Sequence, residues 1–339
     1  MERVLVLTRD GDTPAVHVAG LLRARGADVT LFDPGDFPSR ARLSVTVTSS
    51  GEARRFLVTC GETIDLDTVT ALWFSRPREP VPHPRITDRT TRMYVAHECA
   101  AFSADLWDTL DCRMVPASGH VTRYAARKTA QLLQAARLGF EVPRTLVTTD
   151  PDRLLDFYCE HDGRIITKVR EQLGTYVGGG DFCRFTEPVS TSELGHVDDV
   201  SLSPVIVQPY VDKALELRVT VVGSQVFAAE IHSQQSNHAR LDWRRYDLKT
   251  TPHRPHELPA QTADRCVRLV EALGLCYGAL DLVLTPDGRY VFLEINPDGQ
   301  YRWIENATGL PISEALCDLL LGTDGTLTTA PQEVFDEAV

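Results

Sequence analysis

The stretch G-A-L-D-L-V-L-T-P-D-G-R-Y-V-F-L-E-I-N-P-D-G-Q, residues 278–300, contains two apolar runs separated by a Thr-Pro-Asp-Gly turn sequence. Runs rich in β-formers on either side of such a turn predict a β-hairpin. A two-residue loop at 287–288, or a four-residue loop at 286–289, pairs Asp281 with Glu294 across the two strands. Asn296 then lies on the same face as Glu294, because strand side chains alternate.

Two carboxylates held ~5 Å apart on one face of a hairpin repel each other, so a cation is expected between them. Asp281, Glu294 and Asn296 offer three hard oxygen ligands, a set that suits Mg²⁺. The alternative is a solvated sheet edge, where the acids face water or pair with arginines. The opposite face of the hairpin is predicted to be buried and to carry Leu280, Leu282, Leu293 and Ile295.

Length, charge and cysteine usage restrict the class of protein. A chain of 339 residues predicts two or three domains. Its 35 Lys and Arg against 47 Asp and Glu give a net charge of −12, and no basic run is interleaved with aromatics, so nucleic acid is not expected as a partner. The sequence opens without a signal-peptide pattern, and no apolar run approaches ~20 residues, so no membrane partner is expected. The eight cysteines lack any C-x-x-C pair and predict a reduced, cytoplasmic protein.

The N-terminal segment predicts an α/β domain over residues 1–120. An apolar run at 3–7, a helix through Leu21 and Leu22, and a second run ending at Phe32 indicate a β-α-β opening. A third strand is predicted in the sequence T-A-L-W-F-S-R-P, residues 70–77. The dinucleotide fingerprint G-x-G-x-x-G is absent from the first turn, which leaves NAD binding as a weaker alternative.

The sequence after residue 120 predicts two further domains and a C-terminal tail. The segment 122–143 predicts one helix with Thr122 as its N-cap, Gly139 near its end and Pro143 beyond it. This helix opens a central domain predicted over 121–203. A C-terminal domain is predicted over 204–325, with a helix near 260–273 before the hairpin and a tail at 326–339.

Two lysines and a glycine loop lie upstream of the hairpin. Lys168 interrupts an apolar strand and needs an anionic partner, for which phosphate is suitable, whereas Lys128 lies in the helix before it. Residues 171–182 contain four glycines, including Gly174, and such a loop can approach phosphates and close over them. Either lysine alone has an ordinary alternative, a surface side chain with its stem on apolar neighbours.

An apolar strand with a polar end follows this loop. Gln208, Pro209, Tyr210 and Val211 form a hinge that can offer edge hydrogen bonds to adenine. Glu216 is expected to accept from ribose hydroxyls. Arg218, on the same strand face, is expected to contact a transferring phosphoryl group or an acyl phosphate.

Read in order, these features over residues 120–320 resemble the ATP-grasp superfamily. The resemblance implies an α/β ATP-grasp fold with a Rossmann-like pre-ATP-grasp domain, a small central domain and a large C-terminal domain. It also implies an enzyme, a carboxylate ligase with ATP and Mg²⁺ as cofactors. In that family Lys128 and Lys168 would contact ATP phosphates, the hinge would hold adenine and Glu216 would bind ribose. The two magnesium ions would be bound by Asp281, Glu294 and Asn296.

Three stretches are similar to the graspetide synthetases, the microviridin-type maturases of ribosomal peptides. They are A-L-W-F-S-R-P at 71–77, the segment 216–234 with the later A-R-L-D-W-R-R-Y-D at 239–247, and F-L-E-I-N-P-D-G-Q-Y-R-W-I-E at 292–305. In the first stretch, Ser75-Arg76-Pro77 stands where the family more often has R-R-P. The resemblance implies phosphorylation of Glu or Asp side chains of a precursor peptide, followed by attack of a Thr or Ser hydroxyl, or a Lys amine. It further implies a leader-binding surface around 170–185 and a homodimer.

This chemistry brings two anions together, so cations are needed. Lys168 and Arg218 are expected to neutralise the phosphate and the carboxylate and then to stabilise the oxyanion. Arg240 and Arg244 could assist, or could form a self-satisfied surface loop with Asp242. Two other functions stay open at this point: a ligase that adds a free amine to a carboxylate, and a non-enzymatic nucleotide-binding protein.

Overall fold

The computed structural model describes residues 1–168, 186–235 and 251–323, together with the backbone of two short strands at 176–177 and 180–181. Helices and strands alternate along most of this part of the chain. The fold is of the mixed α/β class, which confirms the sequence-based prediction.

The N-terminal region contains a parallel sheet and a separate antiparallel one. Its elements are β1 (Arg3–Thr8), α1 (Thr13–Ala24), β2 (Asp28–Phe32), β3 (Arg42–Val47), β4 (Ala53–Thr59), β5 (Glu62–Asp65), β6 (Ala71–Ser75), α2 (Arg89–Asp108), β7 (Arg113–Val115) and α3 (Gly119–Ala125). The parallel sheet has the order β2-β1-β6-β7. Strand β1 is almost continuously apolar and buried, as expected of a parallel strand covered by helices on both faces.

The antiparallel sheet β3-β4-β5 was missed by sequence reasoning. In β3, alternate side chains such as Arg42, Ser44 and Thr46 are exposed, and the intervening ones are at most partly buried. A sheet that covers so little apolar area carries a weak hydrophobic pattern. The signal that could have found it is the Cys60-Gly61 turn between β4 and β5, where both residues have positive φ.

The prediction of one helix from Thr122 onward is wrong. Helix α3 ends at Ala125, and α4 (Lys128–Arg137) begins three residues later. The buried Gln131 explains the break, because its amide donates both to the carbonyl oxygen of Ala125 at 2.7 Å and to that of Ile295 at 2.8 Å. The end of α3 is thereby joined to the C-terminal hairpin, and Lys128 lies at the first turn of a new helix.

The central region forms a second four-stranded sheet of order β12-β9-β13-β8. Its elements are β8 (Leu146–Thr148), α5 (Pro151–Glu160), β9 (Ile165–Lys168), β10 (Tyr176–Val177), β11 (Gly180–Asp181), β12 (Glu187–Pro188), α6 (Thr191–Leu194) and β13 (Val205–Pro209). A small core centred on Leu154, Phe157 and Ile165 stabilises this sheet. Strand β13, beyond the predicted boundary at 203/204, is hydrogen-bonded between β8 and β9.

The C-terminal region is built on a five-stranded antiparallel sheet of order β16-β15-β14-β17-β18. Its elements are β14 (Leu215–Val222), β15 (Gln225–Ile231), β16 (His253–His256), α7 (Ala260–Ala272), β17 (Tyr277–Leu284), β18 (Tyr290–Asn296), α8 (Arg302–Thr308) and α9 (Ile312–Leu321). Helices α4 and α7 pack on one face, where Phe140 and Phe292 lie 5.5 Å apart. The expected helix near 260–273 is confirmed as α7.

The N-terminal and C-terminal regions share one hydrophobic core. Residues of β1 and α1 pack with Phe227, Tyr277 and helix α9 in a single cluster. Helix α9 was missed by sequence reasoning, although it is almost wholly buried. No helix of the described residues is long and apolar enough to cross a membrane, and the seven cysteines among them are all thiols.

Candidate active site

A cleft lies between the central sheet and the C-terminal sheet. It encloses about 650 Å³ of empty space, part of which is open to solvent. It is lined by side chains from both sheets: Ile166, Lys168, Thr186, Gln208, Pro209, Tyr210, Val211, Lys213, Glu216, Asp281, Val283, Leu293 and Glu294. Eight of the residues singled out from the sequence therefore meet in one cavity: Lys168, Gln208, Pro209, Tyr210, Val211, Glu216, Asp281 and Glu294.

The carboxylate hairpin has the predicted pairing but not the predicted turn. Thr285 bonds Arg289 across a loop of residues 286–288, and Gly288 has φ +85°, which is typical of a three-residue hairpin loop. That loop alone would move Asp281 out of register with Glu294. A β-bulge at Leu293 restores the register, so Asp281 and Glu294 are direct partners.

The same bulge corrects the predicted core face. Phe292, rather than Leu293, lies opposite Leu282 and is fully buried in the core. Leu293 instead lines the cleft beside Glu294, where it adds apolar surface to the site. An extra residue in one strand shifts the alternation of its side chains, which the sequence pattern alone does not reveal.

Asp281 lies in a dense polar network on β17. It is 6% exposed and directly opposite Arg218 of β14, whose Nη1 donates to Oδ1 at 3.0 Å. The side-chain amide of Asn296 donates to Oδ2 at 3.3 Å. Arg218 also donates from Nη2 to the carbonyl oxygen of Gln300 at 3.3 Å. The guanidinium is thus fixed between the carboxylate and the chain that follows β18.

Glu294 is paired with Lys128, the first residue of α4. Both side chains are largely buried, at 12% and 20% exposure. Lys128 reaches the hairpin because Gln131, one turn later in the helix, is hydrogen-bonded to the backbone of Ile295. The two hairpin acids are therefore each matched by a cation from a different element.

The hinge lies at the end of β13, between the two sheets. Gln208 is 1% exposed, and its side-chain amide donates to the Thr145 hydroxyl at 2.8 Å. This side chain therefore stabilises the fold of the hinge. Tyr210 is held by a backbone hydrogen bond to Arg164, whose guanidinium lies over the Tyr210 ring. Apolar side chains of Ile166, Val283 and Leu293 line the cleft as well and suit a flat aromatic base.

Glu216 forms a buried ion pair with Lys213, a residue that sequence reasoning missed. Both side chains are below a tenth exposed, at 5% and 7%. The signal that could have found Lys213 is its position three residues before Glu216, at the start of strand β14. Gly174, Arg240 and Arg244, together with the leader-binding surface expected around 170–185, lie outside the described residues.

The donor set around Asp281 fits magnesium. The described residues contain no group of three or more His, Cys, Asp or Glu that could hold a metal by itself. Magnesium is commonly bound by one or two carboxylates, with water and substrate phosphates completing its shell. Asp281 and Glu294 line the cleft, and Asn296 is hydrogen-bonded to Asp281 beside it. Together they could supply such a partial set, at which Mg²⁺ would neutralise phosphate charge.

Comparisons with known proteins found matches to the N-terminal region and to nearly the whole chain. A family model described as the MvdD pre-ATP grasp domain matches residues 3–121. A RiPP-associated ATP-grasp ligase of Chryseobacterium gregarium, solved with ADP and a leader and core peptide, is 28% identical with a TM-score of 0.87. The match covers 95% of this chain and 97% of that one.

Two enzymes of Microcystis aeruginosa MRC are similar as well. The macrocyclase MdnC, bound with its precursor peptide MdnA, is 28% identical with a TM-score of 0.84, and the match covers 95% of this chain and all of that one. The macrocyclase MdnB is 29% identical with a TM-score of 0.79, over 95% and 99% of the two chains. No curated protein sequence matches the chain.

The fold, the cleft and these matches define the chain as an ATP-grasp enzyme, an ATP-dependent carboxylate ligase. Two matches point to one kind of ATP-grasp enzyme. The N-terminal region matches the MvdD pre-ATP grasp domain, and nearly the whole chain is similar to a RiPP-associated ligase. In sequence and fold the chain resembles the graspetide synthetases, the ATP-grasp maturases of ribosomal peptides.

Proposed function

We propose that this enzyme is a peptide macrocyclase that closes rings in a ribosomal precursor peptide. A Glu or Asp carboxylate of the peptide attacks the γ-phosphorus of ATP, and ADP leaves. A Thr or Ser hydroxyl, or a Lys amine, then attacks the acyl carbon, phosphate leaves, and the nucleophile loses its proton. An ester or amide bond forms with net loss of one water.

The observation that carries this proposal is the Arg218–Asp281–Glu294 arrangement in a cleft of a chain that is similar throughout to RiPP ligases. The similar enzymes were solved with leader and core peptides or with a precursor peptide. Both supports point to the same substrate class, a precursor with a leader and a core.

The proposed roles of the site residues are supported by their positions in or beside the cleft. Arg218 stabilises charge on the transferring phosphoryl group, and Lys168 and Lys128 bind phosphates. Asp281, Glu294 and Asn296 hold Mg²⁺, the hinge binds adenine and Glu216 binds ribose. The remaining assignments rest on sequence alone: Gly174 in a phosphate loop, Arg240 and Arg244 at the acyl phosphate, a cytoplasmic location and a homodimer.

Mass spectrometry of the co-expressed precursor tests the proposal. A short peptide encoded near this enzyme's gene would be the candidate precursor, and each ring removes one water, ~18 Da, from its mass. The Asp281→Asn enzyme is the negative control. An unchanged precursor mass with the wild-type enzyme would refute macrocyclisation. A gain in mass by one amino acid less one water would instead support the alternative, a ligase that adds a free amine.

A further inference from the structure

Arg76 has a backbone conformation that its local sequence does not favour. Its φ is +56°, directly after strand β6. Two other non-glycine residues of the described chain have positive φ, Cys60 and Asp162, and each precedes a glycine of positive φ in a tight turn. Arg76 instead precedes Pro77, whose ring favours an extended conformation for the residue before it. The turn explanation that covers the other two residues therefore fails here, and the strain needs another cause.

Anchors on both sides hold Arg76 in this conformation. Before it, the Ser75 hydroxyl donates to Asp12 at 3.0 Å, and Thr8 donates to the same buried carboxylate oxygen at 2.9 Å. After it, Arg78 binds Asp33 through Nε at 2.8 Å and Nη2 at 2.7 Å. Strained residues persist where the surroundings over-determine them, and such positions cluster at functional sites.

The position of Arg76 in the sheet is one where α/β proteins bind ligands. The chain runs from β1 to β2 on one side and later crosses to β6 on the other side of β1. The reversal of strand order lies between β1 and β6, and ligands bind outside the carboxyl ends of strands at such a point. Arg76 follows the carboxyl end of β6.

A narrow crevice, with about 300 Å³ of empty space that is partly open to solvent, lies between this point and the C-terminal region. Ser75 and Trp73 line one side, and Gly299 and Gln300 line the other. The carbonyl oxygen of Gln300 accepts from Arg218, the arginine assigned to phosphoryl transfer. The crevice therefore lies between the Arg76 segment and the backbone that fixes Arg218.

The charge of Arg76 is not matched within the described residues. The side chain is exposed and makes no hydrogen bond or ion pair to that part of the chain, whereas its neighbour Arg78 is neutralised by Asp33. In a protein of net charge −12, an exposed arginine held in strained geometry directly after Ser75, which lines the crevice, suits an external anion. Arginine binds carboxylates with paired, directional hydrogen bonds.

We propose that Arg76 binds the Glu or Asp side chain of the core peptide that becomes phosphorylated, and positions it at the crevice between the two regions. This assignment rests on the proposed macrocyclase function. It gives the pre-ATP-grasp domain a direct part in recognising the acceptor carboxylate.

Binding of the precursor peptide to four variants tests the assignment. Arg76→Gln removes the charge, Arg76→Lys keeps it without the forked geometry, and Arg76→Gly removes the side chain and also relieves the backbone. Arg85→Gln is the matched control, because Arg85 is an exposed arginine in the same connection between β6 and α2. Fluorescence anisotropy with the labelled precursor gives its Kd, and the same peptide with core Glu and Asp replaced by Gln and Asn is the second probe.

Arg76→Gln and Arg76→Gly are expected to raise the Kd for the precursor roughly tenfold. With the neutralised peptide, both variants should have the same Kd as the wild-type enzyme. Their affinity for ADP should be unchanged. Arg76→Lys should retain part of the affinity. Arg76→Gly should melt no lower than the wild type, which a structural role for the side chain would not allow. Arg85→Gln should bind as the wild type does.

An unchanged Kd for Arg76→Gln, an equal loss in Arg85→Gln, or an equal loss with the neutralised peptide would overturn the assignment. These outcomes are separate from failure of the proposed function. A wild-type enzyme that binds the precursor through Arg76 but removes no water from it would refute macrocyclisation alone. A wild-type enzyme with no affinity for the precursor would overturn both.

Discussion

Glu216 and Glu230 lie on neighbouring strands of the C-terminal sheet but on opposite faces. Glu216 is the strand partner of Ile231 and faces the cleft, whereas Glu230 is the partner of Leu217, whose side chain is fully buried in the core on the other face. Glu216 is paired with a lysine, and on the same face Asp281 is paired with an arginine. Glu230 is hydrogen-bonded to two histidines, His232 and His256, each at 2.8 Å.

The difference lies in how permanent the partner's charge is. The acids of the cleft face lie beside lysine and arginine, side chains that ordinarily carry a positive charge at neutral pH. Histidine changes charge near neutral pH, and the Glu230 cluster lies away from the cleft, where it links β15 to β16 and to Tyr290 of β18. One sheet thus carries acids for chemistry on one face and for structure on the other.

The largest expected effect is on the cleft face. Asp281→Asn and Glu294→Gln should each lower the rate of ring closure roughly 100-fold or more, because the metal and phosphoryl charge would lose a ligand. Both should also abolish the rise in Tm that MgATP causes. Steady-state kinetics and thermal denaturation measure the two effects.

Asp287→Asn is the control for both substitutions, since Asp287 lies in the turn of the same hairpin. A hydrogen bond from Arg289 lowers the pKa of Asp287 to about 2, yet its side chain is 61% exposed. Its loss should leave turnover unchanged. If Asp281→Asn kept wild-type turnover, the acids of the cleft face would not be needed for the reaction, and the proposed difference between the two faces would be wrong.

The hairpin also shows how far sequence reasoning reaches. The pairing of Asp281 with Glu294 was predicted from a turn of the wrong length, and the bulge at Leu293 compensates for that error. Local patterns contain the alternation of apolar residues but not the extra residue in one strand. A bulge is stabilised by packing, here by Phe292 against Phe140, 152 positions earlier in the chain.

Partners distant in sequence were the least predictable part of the site. Asp281 and Arg218 are 63 residues apart, and Glu294 and Lys128 are 166 apart. The sequence identified all four as candidates from their local settings, but no local rule assigns one cation to one acid. By contrast, Lys213 lies only three residues from Glu216 and was missed because its segment was read as a hinge alone.

A smaller effect on turnover is expected from a substitution at Gly299, which lies against the Arg218 guanidinium. A Cβ at this position would lie 2.5 Å from both Ala279 Cβ and Arg218 Nη2. Gly299→Ala should therefore displace the guanidinium, lower kcat by about tenfold and cost about 1–3 kcal/mol of stability. Gly20→Ala is the control, because the space around this exposed helical glycine is open and alanine favours the helix. A Gly299→Ala enzyme with wild-type kcat would show that Arg218 need not keep this position.

The buried Lys213–Glu216 pair tests the cleft face where the nucleotide is proposed to bind. Lys213→Met or Glu216→Gln alone should each cost about 3 kcal/mol, because a buried charge loses its partner, and the double variant should recover part of that loss. The KM for ATP should rise more than kcat falls. The exposed Arg164–Asp212 pair, with both side chains 62% exposed, is the control and should couple by less than about 1 kcal/mol. Chemical denaturation and ATP kinetics measure these differences, and a coupling equal to that of the control would contradict a special role for the pair.

The smallest effect is expected on the opposite face, at Glu230. Burial raises the pKa of this carboxyl, but hydrogen bonds from His256 and His232 outweigh burial, and the net pKa is lowered below 4.5. A group whose pKa is lowered by folding adds stability above its unfolded pKa and loses it as pH falls through the folded one. The Tm of Glu230→Gln should thus lie about 2 °C below that of the wild type at pH 6, and the gap should narrow as the pH falls below about 4.5. Turnover at neutral pH should stay within twofold, roughly the scatter of such assays. A Glu230→Gln enzyme that lost activity as Asp281→Asn does would mean that both faces of the sheet serve the reaction, because the cluster would then act through β15 on Arg218, whose strand partner is Ala229.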